Sequence, residues 1–131
     1  MANEAVLVYE LESPVPFTCA DVTGIEKGCI LQLADLMTVS ATSADNQVVI
    51  GIAAEEKIAS NGRTKVPVYL RGVFKLVVDA GDSTTAGQEV VVRAANAIGT
   101  YDTLDDEKGL VLGRALETAA AGETCLVLVG C

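Results

Sequence analysis

The feature that most constrains this chain is an internal echo. Glu26-Lys27-Gly28-Cys29-Ile30-Leu31-Gln32-Leu33 is followed by Val48-Val49-Ile50-Gly51-Ile52-Ala53-Ala54, then by Gly62-Arg63-Thr64-Lys65-Val66-Pro67-Val68. The order returns as Thr85-Ala86-Gly87-Gln88-Glu89-Val90-Val91-Val92, Leu110-Val111-Leu112-Gly113-Arg114-Ala115-Leu116 and Gly122-Glu123-Thr124-Cys125-Leu126-Val127-Leu128. Glycines 28, 51 and 62 recur as 87, 113 and 122, displaced by 59, 62 and 60 residues. Preserved order at near-constant displacement points to two similar units in one chain of 131 residues, too few copies for a solenoid.

The units are written in strand-forming residues. Half of the chain is hydrophobic, largely Ala and Val, with few aromatics and no Trp. β-Branched side chains fit a pleated surface. Strands are predicted at residues 29–33, 36–40, 47–53, 65–71, 73–78, 88–94, 110–116 and 124–129, separated by glycine, Asn and Asp turns. Asn61-Gly62 is the clearest hairpin signal. Pro67 lacks a backbone donor and places its strand at an edge or near a bulge. Helical periodicity is weak, with one-turn candidates at 54–60 and 117–121. Val48-Val49-Ile50, Val90-Val91-Val92 and Leu126-Val127-Leu128-Val129 are apolar on both faces, so a second sheet or another copy is expected to cover them.

Residues 1–17 stand apart. Ala5 to Leu11 reads as extended, and Ser13-Pro14-Val15-Pro16 fixes two φ angles and removes two donors. The expected fold class is all-β: a compact β-barrel or β-sandwich built from two similar β units, with very little helix. An extended N-terminal arm is assigned to residues 1–17 and a single β domain to residues 18–131.

Nine basic against 18 acidic residues give a formal net charge of −9, which repels nucleic-acid phosphates and anionic membranes. No basic residue precedes Lys27, so a secretory n-region is not expected, and no apolar run reaches transmembrane length. Synthesis in a cytoplasm follows as an expectation. Cys19, Cys29, Cys125 and Cys131 contain no Cys-x-x-Cys pair and read as reduced thiols, with a Cys19–Cys29 disulfide as the minor reading.

The absence of His removes Ser-His-Asp and Cys-His catalysis and His-ligated zinc. Neither a Gly-Lys dipeptide nor a Gly-x-Gly occurs, so phosphate loops and dinucleotide fingerprints are missing. Asp79 with Asp82, and Asp102, Asp105, Asp106 and Glu107, could offer oxygen ligands to Ca²⁺, but neither follows its loop pattern. They read as solvated loops, and Glu55-Glu56 as a charged surface pair. Arg71 and Lys75 flank Gly72-Val73-Phe74 and suit either an acidic partner or surface stems covering apolar area. No enzyme activity, cofactor or metal is expected.

The stretch from Lys65 to Val92 carries Val66-Pro67-Val68-x-Leu70-x-Gly72-Val73, then Ala80-Gly81, then Ala86-Gly87-Gln88-x-Val90-x-Val92. Leu112-Gly113-Arg114-Ala115-Leu116-Glu117 and Ala120-Ala121-Gly122-Glu123-Thr124 follow. This pattern resembles the small phage capsid decoration, or cement, proteins, a family whose members are often labelled as recombinase-related. The chain has no Walker loop to support that label. The resemblance covers most of residues 20–130. It implies a structural virion protein on the outer face of a tailed-phage capsid, bridging major capsid protein subunits. It also implies a homo-oligomer, a trimer first and a dimer next. The arm would be the capsid-binding element, with Val6, Leu7, Val8, Tyr9, Leu11, Pro14 and Pro16 as its anchors. The competing reading is a small non-enzymatic binding or adaptor module, for a ligand or carbohydrate, on a phage particle.

Overall fold

The structure, a computed structural model, describes residues 4–43, 47–101 and 111–130. Its strands are β1 (Val6–Glu10), β2 (Val15–Thr18), β3 (Ile30–Asp35), β4 (Thr38–Ala41), β5 (Val49–Ala53), β6 (Lys65–Tyr69), β7 (Gly72–Val78), β8 (Glu89–Ala94), β9 (Ala97–Thr100), β10 (Gly113–Ala115) and β11 (Thr124–Val129). The described residues contain no helix. The one-turn candidates are instead bends and turns around isolated bridges, Ile25 with Lys57 and Thr84 with Ala119.

The two units are two five-stranded barrels. The first closes in the order β2-β4-β3-β5-β6, and β6 returns to β2. The second runs β7-β11-β10-β8-β9 and closes through a parallel β7–β9 pairing, with β1 added outside it. Each pairing of the first barrel has its twin in the second. The parallel contact of Thr18 with Thr38 corresponds to that of Val77 with Ala97. Closure removes exposed edges, which a small β protein must otherwise protect.

The repeated glycines are explained by this duplication. A Cβ on Gly51 would overlap the carbonyl oxygen of Tyr69, and one on Gly113 would overlap that of Leu128. Both sit where a short strand crosses close over the last strand of its barrel. The hydrogen bonds repeat too. Cys19 N donates to Thr64 O at 2.9 Å and Val78 N to Glu123 O at 2.8 Å; Gly28 N donates to Ala53 O and Gly87 N to Ala115 O.

Other sequence expectations change as well. Val15–Thr18, placed largely in the arm, is wall of the first barrel, so the boundary at residue 17 cuts through β2. Pro67 likewise lies in a closed wall rather than at an edge. Pro16 and Pro67 face each other across β2 and β6, and the Pro67 carbonyl turns away to accept from Ala54 N at 2.9 Å. Two residues without N–H groups thus share a non-hydrogen-bonded position, where neither needs a donor. Asn61-Gly62 turns the chain, with left-handed φ at Ser60 and Gly62, but within a longer loop joining β5 to β6.

Each barrel has a core. Phe17, Cys19, Leu31, Val39, Val66 and Val68 fill the first. Phe74, Leu76, Val90, Val92, Ile98 and Val127 belong to the second, whose cluster also takes in Ala5, Ile30, Val49 and Ile52 from outside it. Those four form the joint. Ile30 and Ile52, cross-strand partners, point outward from the first barrel onto the second. There Asn96, buried in the β8–β9 turn, accepts a hydrogen bond from Ile30 N at 2.9 Å.

Candidate functional site

β1 is the most exposed apolar element of the chain. It pairs antiparallel with β7, Val6 opposite Lys75, Leu7 opposite Phe74, Tyr9 opposite Val73 and Glu10 opposite Gly72, with a bulge at Val8. All five residues are exposed, including Val6, Leu7, Val8 and Tyr9. The start of the strand is fixed: Ala5 is buried in the joint, and its N–H donates to Gly28 O at 2.9 Å. Its far end carries a loose ion pair, Glu12 with Arg71 at 3.7 Å, both half-exposed and worth little.

Among the described residues β7 is the only strand that pairs with β1. Its outer edge therefore presents backbone donors and acceptors together with apolar side chains. Such an edge is a template for another strand. Glu4, Glu10 and Glu12 flank the apolar run and oppose indiscriminate pairing. Beneath β1, Tyr69 packs edge-on against Phe74 with ring centroids 5.7 Å apart. Burial, and then the Glu10 carboxylate, raise the Tyr69 hydroxyl above its ordinary pKa.

The seven anchor residues therefore divide. Val6, Leu7, Val8 and Tyr9 share β1, and exposed Leu11 follows it. Pro14 is half-buried just before the first barrel, and Pro16 is exposed on its wall.

The other candidates are structural groups. Asp82 Oδ2 lies 3.0 Å from Arg93 Nε, while Asp79 Oδ2 accepts from Gly81 N at 3.3 Å. Glu55 is 3.7 Å from Arg63 at the exposed surface. Among the described residues no three Cys, Asp or Glu side chains gather as a metal site. Asp102, Asp105, Asp106, Glu107 and Cys131 lie outside the described residues. Lys75 is exposed on β7. Cys19, Cys29 and Cys125 are buried free thiols, so no Cys19–Cys29 disulfide forms. Burial, then the Glu26 charge, push the Cys29 thiol up to about 11.

Two features escaped the sequence. Lys57 is buried, and its ammonium meets the Asp21 carboxylate at 3.3 Å and the Asp21 carbonyl. The same carboxylate accepts from Gly62 N at 2.7 Å, so one ion pair ties together the loops at one end of the first barrel. The second is an apolar recess at the other end, lined by Phe17, Leu33, Leu36, Met37 and Ile50. The sequence pattern opens a strand at Leu36 and Met37. They form the β3–β4 turn instead, with Met37 at φ 49°. The displacement of 59 residues that sets Met37 against Asn96 was the available signal, because Asn tolerates left-handed backbone.

Comparison with known proteins agrees with this architecture. No curated protein shows significant similarity to the chain. The N base of the head fiber gp8.5 of bacteriophage phi29 superposes with a TM-score of 0.56, at 15% identity, over 88% of this chain and 92% of that one, a likeness of fold. The model of the phage cement protein family matches residues 12–131, nearly the whole of both barrels and the joint between them. The chain belongs to the phage cement protein family, a family of capsid-associated structural proteins.

Proposed function

We propose that this protein is a head decoration protein, made in the host cytoplasm, that attaches to the outside of a tailed-phage capsid and bridges major capsid protein subunits. The family match over residues 12–131 carries the reading. The physics suits it. Packaged DNA presses outward on a shell, and a clamp across neighbouring subunits opposes their separation. Many weak sites acting together give avidity. Buried free thiols suit folding in a reducing compartment. A trimer, or failing that a dimer, is the assembly this reading expects at local symmetry positions of an icosahedral shell.

The shell-binding element in this proposal is the outer edge of β1 with Val6, Leu7, Val8 and Tyr9, continued by Leu11. Pro14 and Pro16 stiffen the passage into the first barrel. β1 lies ahead of the residues that match the family, so it is suited to recognising this phage's own coat. The test is co-sedimentation with heads that lack the protein. Wild type should saturate them at copy numbers comparable with the coat protein. Val8→Glu combined with Tyr9→Glu should keep the wild-type urea midpoint and bind about tenfold more weakly, the scale of losing one buried apolar anchor. Failure of wild type to bind would end the decoration reading. Normal binding by the double variant would remove β1 from it.

A further inference from the structure

The two barrels stack head to tail, and this leaves matching ends in unequal states. In the second barrel the end bearing the β8–β9 turn is closed. Leu76, Val92 and Leu112 lie there in one buried cluster with Ile30, Val49 and Ile52 of the first barrel. The corresponding end of the first barrel bears the β3–β4 turn and has nothing over it among the described residues. Phe17, Leu33 and Ile50 stand where Leu76, Val92 and Leu112 stand in the twin, and they line a recess of about 440 Å³. Leu36 is 86% exposed and Met37 46%, whereas Asn96, the twin of Met37, is 2% exposed.

What covers the twin shows what chemistry fits here: an uncharged wall of outward β-strand side chains. A second copy does not offer a matching wall. Ile30 and Ile52 are already used inside each molecule, and the positions corresponding to them in the second barrel are Glu89 and Arg114, both exposed. A head-to-tail chain of copies would press these charges onto Leu36 and Met37, and burying charge on apolar surface is unfavourable. The one carboxylate at the recess, Asp35, accepts from Leu36 N at 2.8 Å and caps the turn from the rim.

Building on the decoration reading, we infer that the open end of the first barrel is a second shell-docking site, separate from β1, which takes an uncharged apolar β surface of the coat protein. Leu36 is its protruding anchor and Met37 its neighbour. Two contacts, at β1 and at the far end of the first barrel, let one molecule span two coat subunits.

Co-sedimentation with heads lacking the protein tests this, with sedimentation of the free protein alongside. Leu36→Asp should weaken head binding by at least about tenfold. Met37→Asn copies the second barrel's residue and suits the left-handed turn, so it should fold as wild type and still bind less tightly. Leu116→Asp, on an exposed leucine outside the recess, should bind normally. Wild-type binding by both recess variants would overturn the inference while leaving decoration intact. A lower oligomeric mass for Leu36→Asp would also overturn it, because the recess would then be a contact between copies. If wild type itself fails to bind heads, the decoration reading falls and this site falls with it.

Discussion

In the first barrel Ile30 and Ile52 face each other across β3 and β5; at the same places in the second barrel Glu89 and Arg114 face each other across β8 and β10. One pair makes the joint between barrels and the other meets solvent. The backbone plan was copied and the surface chemistry was not. Heterologous contacts that repeat from copy to copy grow into open fibres. Charges at the last base, together with apolar residues at the first, allow one internal joint and stop the series. Asn96 marks the same division. It is buried and bonded to Ile30 N, while Met37 stands exposed in the equivalent turn.

The harshest way to break the comparison is to give the first barrel the second barrel's surface. Ile30→Glu places a carboxylate in a fully buried site with no cation to meet it, and should destabilise the protein by about 4 kcal/mol. Urea unfolding should show the loss and, with the joint opened, two transitions in place of one. The converse exchange, Glu89→Ile with Arg114→Ile, should leave the fold intact and create a second apolar base. Sedimentation should then reveal mass growing with concentration. A double variant of unchanged mass would mean that charge at this end does not limit assembly.

Next in size is the ion pair that only the first barrel has. Lys57 lies buried where the second barrel has Ala119, and the two residues make equivalent bridges, to Ile25 and to Thr84. Asp21→Ala removes the carboxylate and leaves a buried ammonium with weaker compensation. It should reduce stability by about 2 kcal/mol, less than for a fully buried pair, because the Asp21 side chain is 40% exposed and its carbonyl still accepts from the ammonium. Lys57→Met, which keeps the stem and removes the charge, should be milder. Equal losses in urea unfolding would mean that the orphaned ammonium costs nothing beyond the loss of the pair itself.

The doubling was legible in the sequence for a physical reason. Close approach at Gly51 and Gly113, and left-handed φ at Gly28 and Gly87, admit little but glycine, so spacing survives where other side chains diverge. Closure was less legible. It depends on single contacts such as Thr18 with Thr38 and on two prolines that excuse each other, and neither leaves a local pattern. The direction of stacking was hidden because Ile30 and Leu31 are both apolar. Leu31 enters its own barrel and Ile30 meets the other, a distinction made only by the neighbour. At the candidate site, the exposed apolar run of Val6 to Tyr9 was visible, but not that it lies along β7. The recess was missed because Leu36 and Met37 read as strand residues, and turns built from apolar side chains carry no compositional mark.

The finest test of the comparison separates backbone strain from docking. Gly28 and Gly87 are twins, with φ of 84° and 89°. A Cβ at Gly87 meets nothing within 4 Å, so Gly87→Ala should lose about 1–2 kcal/mol from left-handed strain alone. A Cβ at Gly28 would stand 2.7 Å from the Ala5 carbonyl oxygen as well, against the segment that leads into β1. Gly28→Ala should therefore exceed Gly87→Ala by about 1 kcal/mol, the scale of modest overpacking, in urea midpoints measured side by side. The excess measures how firmly β1 is seated. In a protein trimmed of residues 2–11 the two alanine variants should become equal, because the three nearest neighbours of a Cβ at Gly28, all in Glu4 and Ala5, are then gone. An excess that persists after trimming would place the strain inside the first barrel and detach it from β1.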